Sequence, residues 1–137
     1  MLMDTEQVLV DTDILSAVMR KNPVVIPRAR AYLARHKRFT ISIITRYEIL
    51  RGLKAKKASR QLVNFERFCA KNLILPLTDI IVRAADIYAD LRRKGELIGD
   101  ADMLIAASAL AHGLGVVTNN GEHFGRIAGL YMKNWLE

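Results

Sequence analysis

Val8-Leu9-Val10-Asp11-Thr12-Asp13 is the stretch that decides the fold. Three consecutive apolar residues read as a short strand buried on both faces. The chain then turns polar at once, with two carboxylates around a threonine. Residues of this type open helices, so the stretch reads as a strand feeding directly into a helix. One cap is enough for one helix. Asp13 is the expected cap, which leaves Asp11 at the strand end for other work.

The same alternation continues downstream. A helix is expected over about 13–20, broken by Asn22-Pro23, and a second over 27–36 with Pro27 near its start. Residues 39–42 read as a second buried strand. Residues 43 to about 54 are helical, because Ile43, Tyr47 and Leu50 share one face with Ile49 and Leu53 beside it. Another helix covers 59–70. Leu73-Ile74-Leu75 is a third strand, closed by Pro76. Thr78 is expected to cap a helix running to Lys94, where Arg92, Arg93 and Lys94 suit the dipole and Gly95 the stop. Asp100 or Gly99 opens an alanine-rich, nearly uncharged helix that belongs against a sheet, and Gly113 ends it. Residues 115–118 form a fourth strand and 130–132 a short fifth. The pattern predicts one α/β domain over 1–137, with a mostly parallel sheet of four to five strands flanked by helices. Sites in such sheets lie outside the carboxyl ends of the strands. Asp11 falls at one such end and Thr118-Asn119-Asn120 at another.

The chain has 137 residues, a formal charge of +7 and a single cysteine, Cys69. The size fits one domain with a core of its own. One cysteine excludes an intrachain disulfide and argues against a cysteine-based zinc site. The first seven residues carry Asp4 and Glu6 but no Lys or Arg, unlike a secretory signal. No apolar run reaches the ~18 residues of a membrane span. A cytoplasmic protein with a polyanionic partner is the expectation.

Within this basic chain the acids are oddly placed. Glu48 is the only acid between Ile14 and Phe65, a stretch holding 13 Lys and Arg residues. Gly52 follows it at i+4, leaving bare backbone beside the carboxylate. The competing reading is a surface glutamate paired with Arg51 at i+3. Asp100 and Asp102 open the alanine-rich helix at i, i+2 spacing, so they do not share a face. Asp100 is assigned to the cap and Asp102 to the site. Two carboxylates ~4 Å apart repel by about 4 kcal/mol at an effective dielectric near 20. A hard cation such as Mg2+ or Mn2+ relieves that repulsion with oxygen ligands, acidifies bound water and neutralises phosphodiester charge.

Residues 8–13, Thr45-Arg46-Tyr47-Glu48-Ile49-Leu50-Arg51-Gly52 and Gly99-Asp100-Ala101-Asp102-Met103-Leu104-Ile105-Ala106-Ala107 resemble three motifs of PIN-domain ribonucleases, in order and spacing. The VapC toxins of bacterial and archaeal toxin–antitoxin pairs are especially similar. Thr118-Asn119-Asn120 with His123-Phe124 resembles the fourth motif, and Gly129-Leu130 with Asn134-Trp135 the C-terminus. The resemblance spans essentially the whole chain. It implies a three-layer PIN-like domain with Mg2+- or Mn2+-dependent endoribonuclease activity on structured RNA, tRNA or a ribosomal RNA loop. It further implies a homodimer and a cognate VapB-like antitoxin. Residue by residue it places the metal-binding acids at Asp11, Glu48 and Asp102. Asp13 stands where the family often has Asn. Asn120 stands at a catalytic position that is commonly Asp, and Glu122 is the candidate to replace the missing charge. Thr12 and Thr118 are expected as supporting donors, with Asp100 beside them.

Two basic clusters flank Glu48 in sequence: Arg28, Arg30, Arg35, Lys37 and Arg38, then Arg51, Lys54, Lys56, Lys57 and Arg60. They suit RNA phosphates without reading bases, though a solvated helix face explains any one of them equally well. Tyr32 and Tyr47 offer rings for stacking, with core packing as the competing role. His36 and His123 receive no role. Two other functions compete. Asp11-Thr12-Asp13 after a strand also resembles the start of a haloacid-dehalogenase-type phosphatase, although Leu15 replaces the Thr expected there. A non-catalytic RNA- or antitoxin-binding module would account for Asn120.

Overall fold

A computed structural model describes residues 6–137. Among these, five strands are β1 (Val8–Val10), β2 (Thr40–Ser42), β3 (Leu73–Leu75), β4 (Gly115–Val117) and β5 (Met132–Lys133). Seven helices connect and flank them: α1 (Thr12–Met19), α2 (Val25–His36), α3 (Ile43–Ala55), α4 (Ser59–Lys71), α5 (Ile81–Lys94), α6 (Asp100–Ala111) and α7 (Gly121–Phe124). The strands lie in the order β3-β2-β1-β4-β5, and every pairing is parallel. Met1 to Thr5, with Asp4, lie outside the described residues.

Period-two alternation in the strands splits the core into two layers. Val8, Val10, Ile41 and Val117 face Ile14 and Leu15 of α1, Val25, Ala29 and Tyr32 of α2, Ile49 of α3 and Phe65 of α4. Leu9 and Val116 face Leu91 of α5, Met103, Ile105 and Ala106 of α6, and Phe124 of α7. The result is the three-layer, parallel α/β domain expected from the sequence. The alanine-rich α6 is as buried as its composition required: Ile105, Ala106, Ala107 and Ala109 have no exposed surface.

Several element ends move from their expected places. α2 begins at Val25 because Asn22 Oδ1 accepts from the N–H groups of Val24 and Val25. Pro27 therefore falls inside the first turn, where a missing N–H costs nothing. Thr78 does not cap α5: residues 78–80 form a turn closed by Ile80 N–H to Leu77 O, and the helix starts at Ile81. The N-cap position of α6 is Gly99, with Asp100 exposed in the first turn. The last strand is Met132–Lys133, not 130–132.

Candidate active site

Strand order reverses between β1 and β4, since the chain builds β2 and β3 on one side of β1 and β4 and β5 on the other. At such a switch point the loops diverge and leave a crevice at the carboxyl ends of the strands. Asp11 leaves β1 there and Thr118 leaves β4. Asp11 N–H donates to Val117 O at 2.9 Å, and Thr118 Oγ1 donates to Asp11 Oδ2 at 2.7 Å. Asp11 Oδ1 accepts from Thr12 N–H at 2.8 Å, so the same carboxylate occupies the N-cap position of α1. The cap expected of Asp13 is therefore taken by Asp11, which bridges two loops as well.

Asp11 is only 4% exposed. Burial first, then the charge of Asp13 and more weakly that of Asp102, push its carboxyl from 3.8 up to about 7, against the pull of the Thr118 and Thr12 hydrogen bonds. Asp13 Oδ1 accepts from Ile14 N–H at 2.7 Å and Oδ2 from Asn119 N–H at 3.0 Å. Burial raises the Asp13 carboxyl too, and Asp102 adds to the rise. Three acids, from the end of β1, α1 and α6, thus feel one another's charge.

Glu48 joins from α3. Its Oε1 accepts from Thr12 Oγ1 at 2.7 Å, and fully buried Thr45, one turn earlier on α3, lies 3.0 Å from the same hydroxyl. Arg51 Nη2 stands 3.7 Å from Glu48 Oε2 while its guanidinium lies 5.1 Å from the centre of the exposed Tyr47 ring. Glu48 makes both contacts at once, Oε1 toward Thr12 and Oε2 toward Arg51. A Cβ built on Gly52 meets nothing within 4 Å, so the space beside Glu48 is open.

Asp102 closes the arrangement. Its Oδ2 lies 3.1 Å from Asn120 Nδ2 and 3.0 Å from His123 Nδ1. Asn120 N–H donates to Thr118 Oγ1 at 2.9 Å. A polar chain therefore runs from Glu48 through Thr12, Asp11, Thr118 and Asn120 to Asp102 and His123. Glu122 turns away, with its carboxylate 3.4 Å from Arg126 Nη2 and 83% of its side chain exposed; it does not supply the missing charge. Among the described residues no group of three or more His, Cys, Asp or Glu side chains is gathered so as to hold a metal ion.

The expected phosphate contacts Arg28, Arg30, Arg35, Lys37, Arg38, Arg51, Lys54, Lys56, Lys57 and Arg60 are all exposed. Tyr32 is not available for stacking: it is buried, and its hydroxyl accepts from Val8 N–H at 3.2 Å. Thr45 and His123 are the participants that sequence reasoning missed. Thr45 carried a faint signal, three residues before the isolated Glu48 and so on its face of the helix. His123 carried none beyond its place in the fourth motif.

A parallel domain with acids at its switch point is the arrangement of a known class: residues 8–130 match the PIN domain family, and the chain belongs to that family. Within it, the chain is homologous to the VapC ribonuclease toxins of VapBC toxin–antitoxin systems. It is 31% identical over 132 residues to Ribonuclease VapC2 of Rickettsia felis, covering 93% of this chain and 96% of that one. Over 100 residues it is 37% identical to the tRNA(fMet)-specific endonuclease VapC of Salmonella typhimurium, covering 72% and 76%. The crystal structure of VapBC2 from Rickettsia felis bound to a DNA fragment from their promoter superposes with a TM-score of 0.83 at 27% identity, over 95% of this chain and 99% of that chain. DNA-bound VapBC from Salmonella typhimurium gives 0.82 at 31% identity, over 94% and 98%. The phosphatase alternative loses its ground here. The match to the PIN domain family over residues 8–130 and the VapC relatives take its place.

Proposed function

We propose that this chain is a metal-dependent endoribonuclease that cleaves structured RNA, a tRNA or a ribosomal RNA loop, as the toxin of a type II toxin–antitoxin pair. The supporting observation is that Asp11, Asp13 and Asp102 feel one another's charge at the β1/β4 switch point of a VapC homologue, with Glu48 held beside them by Thr12. The donor chemistry fits a hard divalent cation: all four are carboxylates, and the Asp11 and Asp13 carboxyls are raised by burial first and by neighbouring acids second. Asp11, Glu48 and Asp102 hold Mg2+ or Mn2+ in this reading. When bound, the cation neutralises charge on the phosphodiester and acidifies a water.

The chain's own residues do the rest. Thr118 fixes one Asp11 oxygen and Thr12 N–H the other, so the carboxylate cannot rotate away. Thr12 holds Glu48 toward the crevice. Asn120 lies against Asp102 and orients water through its amide. Exposed Arg28, Arg30 and Arg35 of α2, with Arg51, Lys54, Lys56 and Lys57 at the end of α3, grip RNA phosphates without reading sequence. No helix among the described residues is long and apolar enough to cross a membrane. In this reading the protein works in the cytoplasm as a homodimer, with a VapB-like antitoxin over the crevice; relatives solved as VapBC complexes support the antitoxin partner.

The purified chain, freed of any partner, is to be incubated with total tRNA and ribosomal RNA, and the new RNA ends sequenced. Discrete cuts that require Mg2+ or Mn2+ and vanish with chelator are expected. Tight RNA binding without any cut under either metal contradicts the reading and favours a non-catalytic module.

A further inference from the structure

Three consecutive residues of the turn after β4 each engage a different acid. Thr118 Oγ1 donates to Asp11 Oδ2 at 2.7 Å, Asn119 N–H to Asp13 Oδ2 at 3.0 Å and Asn120 Nδ2 to Asp102 Oδ2 at 3.1 Å. The placement of this turn therefore decides where all three carboxylates point. Its middle residue is exposed and is gripped from outside the turn: Asn134 Nδ2 donates to Asn119 Oδ1 at 2.8 Å. Asn134 is itself set in place. Leu136 N–H donates to its Oδ1 at 2.9 Å, so the amide oxygen is taken and the Nδ2 group has to face the turn. Arg28 Nη1 donates to its backbone oxygen at 3.2 Å. The next residue, Trp135, is buried in the core, its ring 5.6 Å from that of Tyr32 and 6.2 Å from that of Phe39.

We infer that Asn134 is a positioning residue: through Asn119 it fixes the turn after β4, and with it the orientation of Asp13 and of its neighbours Asp11 and Asp102, although it touches none of the three acids. Asp13 has the most to lose from a loose turn. A carboxylate drawn out of water beside other acids gains by swinging outward. Two backbone N–H groups hold this one, from Ile14 and Asn119, and the second belongs to the turn. The anchor is sound because Trp135 ties the segment to the core from the adjacent position. The C-terminal segment is thereby part of the machinery of the crevice, not only an edge of the sheet.

The inference rests on the proposed role of these acids in RNA cleavage, but its first test needs no RNA. Amide hydrogen exchange is followed by nuclear magnetic resonance on the full, cation-free chain. Asn134→Ala removes the Nδ2 donor and leaves Trp135 and every acid in place. The N–H of Asn119 should exchange about three- to tenfold faster, the effect of losing one ordinary hydrogen bond. The N–H of Asp11, which donates to Val117 O, should keep its rate. The Mn2+ concentration for half-saturation should rise about tenfold. With RNA, kcat should fall about tenfold at unchanged KM. Asn119→Ala, at an exposed position that keeps its backbone N–H, should give the same changes. The double variant should be no worse than either single one, because both act through one bond. Unchanged exchange at residue 119, equal acceleration at Asp11, an unmoved Mn2+ half-saturation or additive losses in the double variant overturn the inference. Cleavage by the wild type in any of those cases leaves the nuclease reading standing. The expected exchange and Mn2+ shifts in a chain that cuts no RNA have the opposite meaning: the tether stands and the nuclease reading falls.

Discussion

The switch-point crevice and the basic arm of α2 and the end of α3 follow opposite physical rules. In the crevice, acids are buried against their own preference and held by at least two hydrogen bonds each at Asp11 and Asp13. On the arm the cations are exposed; Arg28 reaches Asn134 O and Arg51 faces Glu48 and Tyr47, while Lys56 and Lys57 extend past the last turn of α3. A group fixed at an electrostatic cost has one task and one geometry. A loose array of charges tolerates the loss of any member. The comparison therefore predicts steep, position-specific losses in the crevice and shallow, additive ones on the arm.

The largest break comes from a crevice acid. Glu48→Gln keeps the hydrogen bond from Thr12 but removes the charge. Losing one carboxylate of a cation site forfeits several kcal/mol of charge stabilisation, so cleavage should fall about 100-fold or more. Retention of most activity would place the reaction elsewhere. Thr12→Val comes next. It removes the hydroxyl between Glu48 and Thr45 without touching an acid, and a loss of about 10- to 100-fold in cleavage or metal affinity is expected, with a stability loss of about 1–3 kcal/mol from the buried Thr45 hydroxyl left without this partner. The smallest effect is on the arm. Lys56→Ala and Lys57→Ala should each weaken binding to unrelated RNAs equally and reduce the salt slope by about one. A single lysine whose loss abolished binding to one RNA only would break the comparison, because it would be reading sequence.

The sheet was legible because each strand is a short apolar run between breakers, and α6 because almost nothing in it is charged. Element starts were less so. Pro27 and Thr78 look like helix openers, but Asn22 reaches forward to begin α2 earlier, and a turn at 78–80 delays α5. Charge placement, spacing and the motif resemblance separated Asp11, Glu48 and Asp102 from the other acids and named Thr12 and Thr118 as supporting donors. Their partners were not legible, because the Thr118–Asp11 contact joins residues 107 apart in the chain. The choice between Asp13 and Asp11 for the cap failed on a false premise. One carboxylate has two oxygens, and Asp11 uses one for the cap and one for the neighbouring loop. His123 is a lone histidine in sequence; only the fold sets it against Asp102.

Asp11→Asn tests the central claim most directly, because it separates function from stability. The Asp11 carboxyl sits at about 7 in the fold against 3.8 ordinarily. Its contribution to the stability of the cation-free chain is therefore complete below about pH 4 and lost as the pH rises through 7, on the order of 4 kcal/mol in all. Asparagine keeps the shape and loses the charge. The measurement is tRNA cleavage in Mg2+ paired with thermal unfolding in chelator from pH 5 to pH 8. Asp11→Asn should cut no RNA and yet melt higher than the wild type at pH 8, the gap closing toward pH 5. A variant that cleaves like the wild type, or one that melts lower at pH 8, would contradict a cation site built on a buried carboxylate at the β1/β4 switch point.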